Sequence, residues 1–300
     1  MHFSFFFSGH PIKPFGILGL VLWLILIPLG CFSLSCIIEI FYLIYKKSVL
    51  DKLSNQLARL GFIFLSAITL SIAIICLVPG FQDTAFKSFF IFKQTFLICI
   101  ATAFLLSVAY IFSWKALKNL KILHILLGFS SLASYKIFLS GIFLILFNLA
   151  LPQPKLLPPL HSLFYPILGQ LFILSFVFAI SVAWPYLILR RNKDDFGRDY
   201  YRFAIKHLSK WNLIMLGASF IPCTIIFLML KEKFLFSPLL GPASMIILGM
   251  GLLAILSVIL LKQNQPLRYK AWFFLAPLPA LVILIFRLIS YVELIKMWRL

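Results

Sequence analysis

Residues 37–59 read IIEIFYLIYKKSVLDKLSNQLAR, and in this stretch a long apolar helix meets water and turns basic. Glu39 lies inside the apolar run, Tyr42 and Tyr45 mark its edge, and Lys46 and Lys47 end it. Residues 51–59 then form a polar hairpin into the next apolar run. The pattern returns later in the chain. Tyr186-Leu187-Ile188-Leu189-Arg190-Arg191 matches Tyr42-Leu43-Ile44-Tyr45-Lys46-Lys47 in residue class.

Composition sets the class of solvent. Of the 300 residues, 63% are hydrophobic and 12% charged, with a mean hydropathy of +1.08; a soluble domain carries about 25% charged residues. Such a chain belongs in a bilayer. A net charge of +19 would point to nucleic acid in a soluble protein, but here the lysines and arginines fill short gaps between apolar runs and so encode topology. The five cysteines all lie within apolar runs without a CxxC pattern, which reads as small buried side chains. The start, MHFSFFFSGHPIKPFG, has no basic region ahead of its apolar part, so the first span is expected to stay as an anchor.

Eight runs reach the roughly 20 residues that a crossing helix needs: 16–45, 59–78, 89–112, 122–150, 163–189, 211–230, 237–261 and 271–292. The expected fold is all-α and polytopic, because helices satisfy their own backbone in lipid and no alternating strand pattern of a barrel is present. Gaps one, three, five and seven hold seventeen lysines and arginines, against eight in the other gaps and the termini. The positive-inside rule then places the odd gaps in the cytoplasm and both termini outward, in an inner membrane of bacterial type. Trp114, Trp211 and Trp272 fall on the cytoplasmic rim as an interfacial belt. The fifth gap, RRNKDDFGRDYYRFAIKHLSKW (190–211), reads either as an amphipathic helix on the anionic leaflet or as a solvated connector. The outer gap, LPQPKLLPPL (151–160), carries four prolines and cannot continue a helix. It divides the chain into a first four-helix half (1–150), a linker (151–160) and a second four-helix half (161–300). With the internal echo, this suggests two bundles in tandem.

Ionisable side chains within apolar runs each ask for a partner, since insertion costs about 2.5–3.5 kcal/mol. Glu39 is expected about 10 Å into the first helix by helix rise, as a proton or quinone contact. Lys136, in the middle of the fourth run, is its expected buried counter-charge or an anion site, and Arg287 lies near the outer end of the eighth. The opposing reading has Lys136 snorkel and Glu39 pair with a lysine near the interface. His124 opens the fourth run on the cytoplasmic side and His161 precedes the fifth on the outer side, so the two cannot share an iron. His10 and His161 both fall on the outer side and are the candidates for a single metal or haem site there, while His2 and His207 are exposed by position. Gly128, Ser130, Ser131, Ser134, Ser140 and Gly141 give the fourth helix a small-residue surface for close packing. No HExxH, Walker, GxSxG or GxGxxG element is present, so nothing points to hydrolase, ATPase or dinucleotide chemistry.

Several short motifs follow one another in the order of a known family: Glu39 with Tyr42, the basic turn and the entry to helix two at Arg59; Phe112-Ser113-Trp114; Leu123-His124-Ile125-Leu126-Leu127-Gly128-Phe129; Asn148 with Gln153 and Pro154; and His161 with Ile180-Ser181 before Tyr186-Leu187. Over about six helices the chain resembles subunit I of cytochrome bd-type quinol oxidases. The resemblance implies a quinol- or haem-associated respiratory subunit for electron transfer, with haem b and a quinone as cofactors. It also implies His161 as the axial-ligand candidate and a second membrane or periplasmic subunit as partner. The chain departs from that family in three places. Its first helix offers Trp23 and no histidine, its third has Lys93 and no carboxylate, and no long loop follows helix six, so oxygen chemistry is not expected of it. Two other classes stand beside this reading: a small-anion permease using Lys136 and Arg287, and a non-catalytic scaffold or assembly partner.

Overall fold

The computed structural model describes residues 12–77, 90–149, 158–194, 196–231 and 237–299. Every described secondary-structure element is helical. Among the described residues, seven helices are long and apolar enough to cross a membrane. Their outward faces carry Ile63, Leu70, Ile137, Ile247 and Ile255, each at least half exposed, an apolar surface suited to lipid rather than to water.

In chain order the helices are α1 (Ile12–Tyr45), α2 (Ser48–Leu77), α3 (Phe90–Phe112), α4 (Lys121–Leu149), α5 (Phe164–Asp194), α6 (Arg198–Ala218), α7 (Phe220–Leu230), α8 (Leu240–Lys262), α9 (Lys270–Leu275) and α10 (Pro277–Arg299). The run expected at 89–112 is α3, whose described apolar part, Leu97–Phe112, is shorter than a full span. Prolines set the interruptions. Pro222 cannot donate to the carbonyl of Ala218, and the helix breaks at Ser219 between α6 and α7; Pro277 and Pro279 do the same between α9 and α10.

Two expected boundaries move. The segment 51–59, expected as a polar hairpin, is helical: α2 begins at Ser48, directly after a turn in which Lys46 takes a left-handed φ of 54°. The segment 190–211, expected flat on a leaflet or as a connector, is the end of α5 and the head of α6. Hydropathy marks only the part of a helix that lies in hydrocarbon. In both places the polar first turns belong to the same helix and bury Ser54 and Gln56 in α2, and Tyr200, Tyr201 and Ala204 in α6.

The chain forms two compact units. One boundary falls between Leu160 and His161, after the proline-rich segment, and the other falls inside α1, so that Met1–Leu26 groups with His161–Leu300. The helix residue Pro28, which lacks the N–H for an i−4 bond, lies within one turn of that second boundary. In the unit Ile27–Leu160, α3 packs along α4 and α2 packs on α3, around fully buried Leu34, Leu53, Tyr110 and Tyr135. In the other unit, α8 packs against α10, and α6 against α5 and α8, around Phe178, Trp184, Tyr201, Leu253 and Ile283.

Small residues let these helices approach. A Cβ on Gly249 of α8 would lie 2.8 Å from Ile283 Cγ1 and 3.0 Å from the Pro279 carbonyl oxygen of α10. A Cβ on Gly128 of α4 would lie 2.8 Å from Cys36 Sγ and 2.9 Å from Tyr110 Cε2. Ser131 on the same face of α4 donates to the Ala103 carbonyl of α3 at 3.1 Å. Without a hydrophobic drive between helices in lipid, such contacts supply much of the packing free energy.

Candidate functional site

Four helices of the unit Ile27–Leu160 deliver polar side chains to one buried point. Glu39, on the last turns of α1, is fully buried. Lys121 and His124, three residues apart at the head of α4, project from one helical face. Tyr110 comes from the end of α3, and Asp51 and Ser54 come from the first turns of α2. The short α3–α4 connection brings in Trp114. Its indole packs edge-on against His124 at 4.5 Å and lies under the Lys121 ammonium at 4.7 Å, a cation–π contact.

Glu39 is satisfied on both oxygens. Oε1 accepts from Lys121 Nζ at 3.2 Å and lies 2.6 Å from His124 Nδ1; Oε2 accepts from the Tyr110 hydroxyl at 2.8 Å. Lys121 also donates to Asp51 Oδ1 at 2.8 Å. Asp51, at 30% exposure, is the edge of the cluster that reaches the surface. On the other side Ser35 Oγ lies 3.0 Å from Tyr110 Oη and 2.9 Å from the Ser54 carbonyl, its one proton shared between these two acceptors, and Ser54 donates to the Ser35 carbonyl at 2.9 Å. The polar chain therefore runs from Asp51 through Lys121, Glu39, Tyr110 and Ser35 to Ser54. It closes on α2 one turn from where it began. It is a site reached from the side of the α1–α2 turn, not a wire across the unit.

The imidazole fixes the proton count. His124 Nε2 lies 2.8 Å from the Tyr110 backbone carbonyl, which can only accept, so Nε2 carries a hydrogen. Between Nδ1 and Glu39 Oε1, at 2.6 Å, one further proton is then required: either the ring is imidazolium and Glu39 carboxylate, or both are neutral and Glu39 donates. Without it, a lone pair on Nδ1 would face a carboxylate oxygen. With it, Glu39, Asp51, Lys121 and His124 sum to zero charge, the condition under which a buried ionic cluster is tolerable.

The residues singled out from sequence fare differently. Glu39 is the centre of the cluster. Lys136, expected as its buried counter-charge, is exposed on α4, and the ammonium that meets Glu39 belongs to Lys121. Depth is the reason, since Lys136 lies twelve residues beyond His124, about 18 Å along the helix. Trp114, expected on the lipid rim, is buried over His124. His161 is exposed in the turn before α5, and His10 lies outside the described residues. His124 has both ring nitrogens engaged and is not open to a metal.

Arg287 belongs to the other unit. It is half-buried on α10, and its buried Nε has no hydrogen-bond partner among the described residues. One turn further on, Tyr291 donates to Gln170 Oε1 at 2.7 Å, and Gln170 Nε2 donates to Cys223 Sγ at 2.8 Å. Lys136 and Arg287 thus fall in separate units.

Sequence reasoning missed Asp51, Tyr110, Lys121 and His124 as site residues. The signals that could have found them were Ser35 and Glu39 at i,i+4, Lys121 and His124 at i,i+3, and the demand that a buried Glu39 makes for a cation. Comparison with known protein families, curated proteins and solved structures finds no match to this chain.

Proposed function

We propose that this chain is a multi-pass inner-membrane protein that couples its work to one proton, bound by the Glu39–His124 pair and exchanged with the lysine-rich, cytoplasmic side. In this reading α3 supplies an eighth crossing and both termini face outward. The observation that carries it is the 2.6 Å contact between Nδ1 and Oε1 beside an Nε2 already committed to a carbonyl, in a cluster whose charge balances only when that proton is present. Asp51 gives the cluster a surface edge, so the proton need not cross apolar core to reach water.

The test is proton counting on the purified protein. On a pH jump the wild type should take up one proton per chain more than Glu39→Gln, whose amide nitrogen can donate to Nδ1 while Lys121 keeps Asp51 as its acceptor, or than His124→Gln. Equal uptake by all three would reduce the cluster to a structural ion pair.

A second reading, a quinol-associated respiratory subunit, is favoured by one observation. The stretches that resemble subunit I of the cytochrome bd-type oxidases, around Glu39, Phe112-Ser113-Trp114 and Leu123–Gly128, are those that meet around Glu39. In that reading Glu39 accepts a proton from a quinol. Quinone extraction and a reduced-minus-oxidised spectrum of the pure protein decide it: a colourless, quinone-free protein removes it and leaves the first reading.

A further inference from the structure

The other unit carries a concentration of charge of its own. On α6, Arg198, Arg202, Lys206 and Lys210 recur every fourth residue and so share one face, while Tyr201, Ala204, Ile205, Leu208 and Ser209 on the opposite side are buried. Beside the basic face lies a groove of about 490 Å³ lined by Arg202, Lys206, Lys210, Phe203 and, from the end of α8, Leu261, with Asp199 as its single carboxylate. His207 is also in the groove wall; it stacks on Phe203 and accepts from the Trp211 indole at 3.2 Å. Arg198 is turned to Gln265 at 3.4 Å. Arg202, Lys206 and Lys210 have no ion pair among the described residues; the elements packed on α6 carry Arg190, Arg191, Lys193 and Asp194 in α5, Lys262 in α8 and Arg268 before α9, with Arg190 paired to Asp194. Like charges at i,i+4 repel, so the groove is built to receive an anion.

Its position says which anion. Just past Lys210 the helix turns apolar, with Trp211 at the change and Ile214 exposed below it; on α8, Ile255, Val258 and Ile259 are exposed below Leu261. The basic groove thus stands at the head of an apolar track on two helices. An inorganic phosphate would use only the head of that track. A molecule with a phosphate head and hydrocarbon tails uses all of it.

We infer that the groove formed by α6 and the end of α8 is a binding site for an anionic glycerophospholipid, its phosphate held by Arg202, Lys206 and Lys210 and its acyl chains laid along the exposed apolar residues of α6 and α8. The inference requires that the chain sit in a bilayer but not that Glu39 bind a proton, so the two fail separately.

The experiment is a thermal-stability titration of the full chain in neutral detergent with phosphatidylglycerol, phosphatidylcholine of the same chain length, or inorganic phosphate. Phosphatidylglycerol should raise the unfolding temperature of the wild type and of Lys115→Gln/Lys118→Gln, while phosphatidylcholine and inorganic phosphate should not. Arg202→Gln/Lys206→Gln/Lys210→Gln should lose the rise. If the triple variant does not fold, the exposed single changes Arg202→Gln and Lys210→Gln serve, each weakening phosphatidylglycerol binding by about fivefold. An undiminished rise in these variants, or the same rise with inorganic phosphate alone, would overturn the site.

Discussion

His124 Nδ1 lies 2.6 Å from Glu39 Oε1, and the Tyr110 carbonyl 2.8 Å from Nε2 on the other edge of the ring turns that contact into a bond holding one proton. Two backbone decisions produce it. The α3–α4 connection returns the chain so that His124 faces the end of its own preceding helix, where Tyr110 is in the last turn. The two-residue reversal at Lys46 and Lys47 puts Asp51 of α2 back beside the last turns of α1. Neither is visible in hydropathy, and together they assemble an acid, a base and two further charges at one depth.

Removing single members of the cluster should cost far more than neutralising the pair in place. Lys121→Met leaves Glu39 and Asp51 without their shared cation, and His124→Ala leaves a buried carboxylate and the Tyr110 carbonyl short of donors. Each is expected to destabilise by about 3–5 kcal/mol. Glu39→Gln gives up the Lys121 contact but leaves that ammonium on Asp51 and removes the buried carboxylate itself, and should lose clearly less. Unfolding of the purified variants in one detergent, followed by tryptophan fluorescence, checks the order; a Lys121→Met protein as stable as Glu39→Gln would show that the ammonium does not compensate Glu39.

Tyr110 links the carboxylate to the serine pair, so Tyr110→Phe and Ser35→Ala should not behave independently. The first removes a hydrogen bond to a charged or proton-sharing group, worth about 1.5–3 kcal/mol, and the second a neutral one worth about 1 kcal/mol. Because they share the 3.0 Å contact, the double variant should lose less than the sum by at least about 0.5 kcal/mol. Additive losses in a double-mutant cycle would mean that the chain is broken between Tyr110 and Ser35.

How far these features could be read in advance varies residue by residue. The apolar runs announced helices because 1.5 Å per residue fixes how many are needed to cross lipid, and Glu39 stood out because a carboxylate within such a run must be answered. A lysine near the interface was one of the two answers open to it, but which lysine, and that a histidine joins it, was not legible. Lys121 counted as a loop cation and His124 as a lone imidazole, since a charge count sorts residues by gap and is blind to which face of α4 they share. Lys136 looked like the partner because it lay deepest in the sequence pattern, yet depth in a run says nothing about whether a side chain turns inward. The polar openings of α2 and α6 were missed for a related reason. A helix that buries polar side chains against its neighbours loses its hydropathy signal there, while its backbone is unchanged.

Close helix approach at the site gives a prediction of its own. Gly128→Ala would set a Cβ 2.9 Å from the Tyr110 ring and 2.8 Å from Cys36 Sγ, displacing the tyrosine that holds Glu39; a loss of about 1–3 kcal/mol is expected, together with a lowered proton uptake. Gly249→Ala meets the Pro279 carbonyl at 3.0 Å and should cost as much stability without touching proton uptake. Gly251→Ala, with nothing within 4 Å, should be neutral or gain up to about 1 kcal/mol from helix propensity. If Gly128→Ala left both stability and uptake unchanged, the packing of α4 on Tyr110 would not be what positions the acid.

The direction from which the proton comes rests on topology, and exposed positions in the turns can report it. In a cysteine-free background, Lys118→Cys and Gln263→Cys stand in two lysine- and arginine-bearing turns and Arg202→Cys on the exposed basic face at the head of α6, whereas His161→Cys stands in the turn before α5. A membrane-impermeant maleimide added to intact cells should label His161→Cys alone, and the other three should react only after permeabilisation. The logic is electrostatic and local. Short loops rich in lysine and arginine resist translocation, and the loop that carries Lys118 is also the one that brings Lys121 and His124 to Glu39. If Lys118→Cys were labelled from outside, Asp51 would open to the outer face, and the same buried pair would draw its proton from there.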